Sequence, residues 1–373
     1  GTMAAACVGP SQTGGASIPP ATIGAPVTGF TAVKTQTPAS PGIGGSVTYR
    51  IDVTNTGTAD LDTLTVVDTV SPLIVSVTTQ NPGTFLSASV SQAPPSGTRY
   101  EWRPKYVPGW TAKATMSIPR SLPGAASVNG KLYVIGGWSG AISKSVEEYD
   151  PALNSWSGKQ DMPTARYSLG TGVVGGKIYA IGGAGGMSAN EEYDPATNTW
   201  AGKAAMTAPR EGLGVGVVNG KVYAVGGYLG GEVPTVQEYD PGGDSWANKN
   251  PMPTARAGLS VAVLNGKLYA IGGSSGGGVT THNTVEEFDP GTNTWTPRAS
   301  LITARFRFAA ATARGGVYVA GGYGGGFLSS VERYDQALDA WISVGNLLSA
   351  QQDLAMTTVN ERLYAVAGWN GGD

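Results

Sequence analysis

Between residues 106 and 373, apolar and polar positions alternate in short runs, and no stretch keeps the i, i+3, i+4 spacing of an amphipathic helix. The runs come in a fixed order. A small apolar strand such as Gly214-Val215-Gly216-Val217-Val218 is followed by a turn pair, Asn129-Gly130, Asn219-Gly220 or Asn265-Gly266. Asn-Gly suits a two-residue hairpin because both central residues of a type I′ turn need positive φ. Gly175-Gly176 and Gly315-Gly316 are expected to serve the same purpose. A second, alternating strand such as Lys131-Leu132-Tyr133-Val134-Ile135 then ends in a Gly pair. The third carries Glu-Glu-Tyr-Asp-Pro, whose Asp-Pro opens another turn, and the fourth starts at a Trp. The expected elements are all strands.

This order repeats. Trp110, Trp156, Trp200, Trp246, Trp295 and Trp341 are spaced 46, 44, 46, 49 and 46 residues apart. The pairs Gly136-Gly137, Gly182-Gly183, Gly226-Gly227, Gly272-Gly273 and Gly321-Gly322 keep step, and Ala367-Gly368 is a sixth copy that has lost its first Gly. After each of the first five Trp residues comes a Met or Leu and then Arg120, Arg166, Arg210, Arg256 or Arg305. Four-stranded units of this length and order resemble the kelch repeat of β-propellers, over about residues 106–373. The resemblance implies six blades arranged radially about a channel. The sixth would draw its first two strands from Leu354–Val359 and Arg362–Gly368, its fourth from Trp110–Met116, and its third from Thr98–Arg103 or from a continuation of the natural chain past Asp373.

The region before the propeller reads differently. Residues 1–27 are a Gly/Pro/Ala/Thr-rich leader or linker, in which Gly1-Thr2-Met3 looks like a cloning remnant. Ala4-Ala5-Ala6-Cys7 resembles a bacterial lipobox without the apolar run that should precede it. Over residues 28–105, β-branched residues alternate in short runs, as in Val47-Thr48-Tyr49 and Leu64-Thr65-Val66-Val67-Asp68. This segment resembles an Ig-like repeat domain of bacterial cell-surface proteins, which implies a small β-sandwich. Some such domains cross-link a Lys to an Asn; Lys34 has no Asn between Asn81 and Asn129 to receive it.

Composition sharpens the picture by exclusion. With Lys+Arg 24 against Asp+Glu 26, the near-neutral balance offers no electrostatic footprint for nucleic acid. No run of apolar residues is long enough for a transmembrane helix. The 57 Gly would suggest disorder, but 40% hydrophobic residues supply a large core, and the repeat explains the glycines. Galactose-oxidase-like enzymes share kelch architecture, yet their copper site needs two His and a cross-linked Cys. Here His282 is the single histidine and Cys7 lies outside the propeller, so neither that site nor a zinc site is expected, and no cofactor is assigned. His282, in a polar stretch, reads as a solvated loop residue. The glycine-rich segments after Gly182 and Gly321 lack the Gly-Lys-Ser/Thr and the helix of a phosphate loop.

The repeated Arg residues recur beside Glu147, Glu191, Glu286 and Glu332, which points to structural pairs within blades rather than to ligand contacts. Positions that vary among repeats are better site candidates. By resemblance, the binding face of a kelch propeller is built from loops after the Gly pair and after the repeated Arg. The first set is Trp138, Ala184, Tyr228, Ser274, Tyr323 and Trp369; the second includes Ser121, Tyr167, Ser168, Glu211, Phe306, Arg307, Gln352 and Asp353. From these, Trp138, Tyr167, Ser168, Glu211, Tyr228, Phe306, Arg307, Tyr323, Asp353 and Trp369 form the candidate binding site, with an aromatic ring at one channel mouth. Amphipathic aromatics with a few polar neighbours suit a carbohydrate or a protein ligand. The expected function is that of an extracellular or cell-surface binding module without catalysis. Two alternatives stand beside it. One is a sugar-modifying enzyme of the sialic-acid mutarotase type using Arg307, Asp353 and Glu211; the other is a structural subunit of a surface layer or filament, self-assembling through the N-terminal region.

Overall fold

A computed structural model of the chain describes residues 109–185 and 188–372, and before them the backbones of strands Met3–Val8, Phe30–Thr37, Thr48–Asn55, Leu64–Thr69, Phe85–Gln92 and Thr98–Pro104. Two compact units result, Gly1–Tyr106 and Val107–Asp373. In the first, backbone pairing orders a sheet as Met3–Val8, Leu64–Thr69, Thr98–Pro104, Phe85–Gln92, and joins Phe30–Thr37 to Thr48–Asn55. The Ig-like reading of residues 28–105, the Lys34 cross-link and the Cys7 lipobox turn on side chains and loops outside the described residues.

The second unit is a β-propeller without a helix among its described residues. Five antiparallel four-stranded blades follow one another. The first is Gly124–Val128, Lys131–Ile135, Val146–Asp150 and Ser155–Lys159, and the other four copy it. Among the described residues, the sixth position holds the pair Gln352–Val359 and Arg362–Trp369. Innermost strands Gly124–Val128, Gly170–Val174, Gly214–Val218, Ser260–Leu264, Ala309–Ala313 and Gln352–Val359 touch in turn, and the last returns to the first.

The expectation of six complete blades is therefore corrected to five. Thr98–Pro104 does not supply a third strand to the sixth, because its two edges pair with Leu64–Thr69 and Phe85–Gln92. Nor is Trp110–Met116 a strand. Ala114 nevertheless occupies a fourth-strand place: its N–H donates to Asn154 Oδ1 at 3.0 Å and its carbonyl accepts from Trp156 Nε1 at 2.8 Å. Gln160, Ala204, Asn250 and Ala299, past the ends of true fourth strands, make the same two bonds to the next blade. Each such bond stabilises by roughly 1 kcal/mol.

Burial explains which residue types each strand needs. The first strand alternates because one face lines the channel. The second was expected to alternate as well, but Leu132, Tyr133, Val134 and Ile135 are all buried. Both faces of that strand are covered by neighbouring blades: Tyr133 and Ile135, for instance, share a cluster with Ile178, Ala180 and Tyr193 of the second blade. The fifth hairpin also departs from expectation, turning at Arg314-Gly315 with φ of 48° and 64°, while Gly316 begins the next strand.

The repeated arginines are structural, as expected. Arg166–Glu191 at 2.7 Å, Arg256–Glu286 at 2.7 Å, Arg305–Glu332 at 2.6 Å and the Arg120–Glu147 pair are buried within their blades. Burial pulls these guanidinium pKa values below the ordinary range, against the pull of the paired carboxylates. Removing one partner of such a pair would leave an uncompensated charge at a cost of about 3–5 kcal/mol.

Two residues after each of these arginines, and after Gln351, the chain turns into the left-handed region: φ is 53° at Leu122, 52° at Ser168, 61° at Gly212, 59° at Gly258, 52° at Arg307 and 59° at Asp353. The turn points each main chain at its neighbour. Leu122 N–H donates to the Asp353 carbonyl, Asp353 to Arg307, Arg307 to Gly258, Gly258 to Gly212, Gly212 to Ser168, and Ser168 to Leu122, all within 2.8–3.0 Å. The result is a closed six-bond hoop around the channel mouth.

Candidate functional site

The loops chosen from sequence do converge on this mouth. Each residue following a repeated Arg forms a bridge with the residue following a Gly pair: Ser121 with Trp138, Tyr167 with Ala184, Glu211 with Tyr228, Ala257 with Ser274, and Phe306 with Tyr323. In the sixth sheet, Gln352 pairs with Trp369 in the same way. The two sets are thus one ring of six bridges, stacked on the hoop.

Below the ring opens a cavity of about 980 Å³. Tyr167, Ser168, Glu211, Tyr228, Phe306, Arg307 and Asp353 line it; Trp138, Tyr323 and Trp369 do not. The last three stand on the rim, where Trp138 is 43% and Trp369 45% exposed. The expected aromatic ring is broken into arcs, because the second and fourth blades place Ala184 and Ser274 at the aromatic position. One arc is the edge-to-face pair Trp138–Tyr167 at 5.7 Å. The other runs Phe306–Tyr323 at 5.7 Å, Tyr323–Phe327 at 5.9 Å and Phe327–Trp369 at 5.3 Å. Tyr228 stands between them without a ring partner among the described residues.

Charged groups among the cavity-lining residues are confined to the mouth: Glu211, Glu232, Arg307 and Asp353. The wall below is formed by small or apolar residues and hydroxyls, including Ala125, Ser127, Thr171, Val217, Val263 and Thr312. Asp353 is 5% exposed, with Arg307 Nε at 3.8 Å from its Oδ1. Its Oδ2 accepts from Gln352 Nε2 at 3.0 Å, whereas Oδ1 accepts no hydrogen bond. Burial pushes the Asp353 carboxyl above the ordinary range, opposed by Arg307 and by the Gln352 hydrogen bond. Arg307 itself is exposed, its guanidinium 5.8 Å from the Phe306 ring centre.

Two contributors escaped the sequence reading, Glu232 and Phe327. Both lie four residues beyond the residue that follows a Gly pair and bridge back to it, as Ile142 does in the first blade. The signal was that constant offset inside an otherwise variable loop. Glu232 Oε1 accepts from Gly277 N–H at 2.9 Å and so ties the third blade's loop to the fourth's.

His282 is half-buried rather than solvated, because it follows the short hairpin strand Thr280–Thr281 and its Nε2 shares a 2.8 Å hydrogen bond with Ser275 Oγ. Burial, with Arg256, lowers its pKa. Neither His282 nor Ser275 lines the cavity. Among the described residues no group of three or more His, Cys, Asp or Glu side chains could hold a metal ion, and no helix is long and apolar enough to cross a membrane.

Among curated proteins none matches the sequence. Among solved structures, the structure of YjhT is similar with a TM-score of 0.62 and 18% identity, covering 70% of this chain and 93% of that one. At that identity the likeness is one of fold. The Kelch motif matches residues 119–163, 165–207, 209–253, 255–302 and 304–348, the five complete blades. The chain belongs to the Kelch-motif family of β-propellers.

Proposed function

We propose that this protein is a non-catalytic binding module, taking a carbohydrate or protein ligand at the mouth built from Trp138, Tyr167, Ser168, Glu211, Tyr228, Phe306, Arg307, Tyr323, Asp353 and Trp369. The observation that carries this reading is the exposure of Trp138 and Trp369 on rim arcs whose other rings are held edge-on beneath them. An indole locked by its neighbours presents apolar area at small entropic cost. Kelch propellers commonly bind proteins, which agrees with a module of this kind. We further propose an extracellular or cell-surface setting, supported by the low charge content and the Thr/Gly/Ala-rich sequence.

The test is a glycan array and a peptide library probed with the full chain and with Trp138→Ala and Trp369→Ala. A ligand retained by the parent and weakened about tenfold by either variant supports the reading. Absence of a binder on both libraries overturns it.

One observation favours a second reading. Asp353, with a raised pKa and an oxygen free of hydrogen bonds beside exposed Arg307, has the character of a proton-transferring acid next to an anion-binding cation. Sugar modification of the mutarotase type would use Arg307 on a carboxylate, Asp353 on a proton and Glu211 across the mouth. Accelerated mutarotation of a sugar acid, abolished by Arg307→Ala, would promote that reading over simple binding.

A further inference from the structure

The third blade differs from its neighbours at the mouth. Its loop folds back so that Tyr228 bridges Glu211 on one side and Glu232 on the other. Tyr228 and Glu211 exchange both main-chain hydrogen bonds, at 2.8 and 3.2 Å. Tyr228 and Glu232 form the other kind of pair, flanked by the bonds from Val233 N–H to Gly227 and from Leu229 N–H to Gly231. Residues opposite one another in an antiparallel pair project from the same face, with Cα atoms about 4.5–5.5 Å apart. Two carboxylates therefore flank one phenol ring, and all three residues line the cavity. The corresponding trios of the first and fifth blades, Ser121, Trp138, Ile142 and Phe306, Tyr323, Phe327, carry no charge.

These carboxylates lack a counterion. Glu211 makes no side-chain hydrogen bond or ion pair among the described residues, and Glu232 spends one oxygen on Gly277 N–H. Like charges side by side on a sheet repel, so the pair calls for a cation from outside. Arg307, the basic group among the described lining residues, already stands beside Asp353. Nor do three metal-ligating side chains assemble among the described residues. A ring between two carboxylates suits an ammonium instead, which it attracts through charge and through the π face.

A second unmet group belongs to the same cavity. Asp353 is 5% exposed, lines the cavity, and accepts no hydrogen bond at Oδ1. In the hoop it stands three steps from Gly212 in either direction, which puts it across the mouth from Glu211. Gly212 and Gly258 add no side chain to the space between. With Arg307 at its side, Asp353 suits a neutral donor such as a hydroxyl, because a second cation there would be repelled.

We propose that the mouth takes an amino-sugar oligomer with a free, protonated amine: the ammonium is held by Glu211 and Glu232 at Tyr228, and a hydroxyl donates to Asp353 Oδ1. The inference rests on the binding reading above and narrows its ligand. A sugar oligomer carries both groups on rigid rings and offers those rings to the exposed indoles of the rim, Trp138 and Trp369. A lysine side chain would bring its ammonium on a flexible stem and without the hydroxyl.

The test is isothermal titration calorimetry of the full chain with the tetramer of glucosamine and with the tetramer of N-acetylglucosamine, in which acetylation removes the charge. The free amine should bind at least about tenfold tighter. Glu211→Gln and Glu232→Gln should each cut that preference to within about threefold, and glutamine at 232 can still accept from Gly277 N–H. Asp353→Leu should weaken both sugars alike and leave the preference intact. Equal binding of the two tetramers by the parent, or a preference that survives both Gln variants, overturns the proposal while leaving a binding mouth in place. Tetralysine bound as tightly as the amino sugar also overturns it, in favour of a basic peptide. No saturation by either tetramer up to about 10 mM overturns it as well, and the array then decides the broader binding reading.

Discussion

Arg210 Nη1 donates to the amide oxygen of Gln237 at 2.9 Å, in the place where four other blades pair arginine with glutamate. The guanidinium is fully buried, and burial alone pulls its pKa down to about 10. It therefore stays charged at neutral pH with only neutral acceptors around it: Ala208 O, Gln237 Oε1 and Ala224 O.

Gln237→Glu should for that reason stabilise the protein. Exchanging a neutral for a charge-assisted hydrogen bond at a desolvated cation is worth roughly 1 kcal/mol, or about 2–4 °C in melting temperature. Thr207, which now accepts from Gln237 Nε2, would turn its hydroxyl to donate, as Thr164 does to Glu191 and Thr254 to Glu286. Thermal melts by circular dichroism decide the matter; a lowered midpoint would show that the blade is adapted to the neutral amide.

Asp353→Asn should raise stability at neutral pH while harming the site. The folded state holds the Asp353 proton to higher pH than the unfolded chain, whose carboxyl titrates near 3.8. The parent's relative stability is thus fully present below that pH and is lost as pH rises through the folded value. The variant escapes the loss, so the two denaturation curves should converge near about pH 3–4 and separate towards pH 7. Parallel curves across that range would contradict the burial argument.

Ala367→Gly should stabilise the sixth sheet. Ala367 sits at φ 60°, where the other blades place glycine, and the neighbouring Gly368 N–H reaches the Arg120 carbonyl at 3.1 Å, the longest of the six equivalent bonds. A left-handed alanine costs about 1–2 kcal/mol and glycine's extra unfolded freedom returns about 0.5–1, leaving a gain of roughly 0.5–1 kcal/mol. Urea midpoints measure it, with protection of the Gly368 amide from hydrogen exchange as a local check.

Phe327→Ala should loosen the ligand face without itself meeting ligand. Phe327 holds Tyr323 on one edge and Trp369 on the other, contacts worth about 0.5–1.5 kcal/mol each. Freed of that support, Trp369 should show lower fluorescence anisotropy, and retention of an array-identified ligand should fall about three- to tenfold. Unchanged retention would remove the fifth-blade arc from the binding face.

Much of this was readable from residue order, because a repeat writes each structural requirement several times. The Gly pairs, the Arg–Glu partners and the loops of the mouth are local or recur at a fixed period. What stayed hidden depends on how one repeat meets the next. Nothing in Trp200 announces that its indole bonds to the carbonyl of Gln160 in the preceding blade. Thr98–Pro104 has strand-forming residues, and only competition between sheets assigned it to the first unit. Trp138, Tyr323 and Trp369 share one mouth, but whether a side chain enters the cavity or crowns it follows from rotamer and neighbours rather than from spacing.

The hoop of hydrogen bonds at the mouth has one more implication, for what the channel can discriminate. Every N–H in it is already given to the next blade, so the backbone there cannot cradle an incoming anion as a loop with idle amides would. Recognition passes to whatever projects from the six turning residues, and these are unequal: Gly212 and Gly258 project nothing, while Ser168, Arg307 and Asp353 carry the polar groups. The hoop of near-identical repeats thereby carries a side chain at some turns and none at others, and an asymmetric guest meets a different group at each turn.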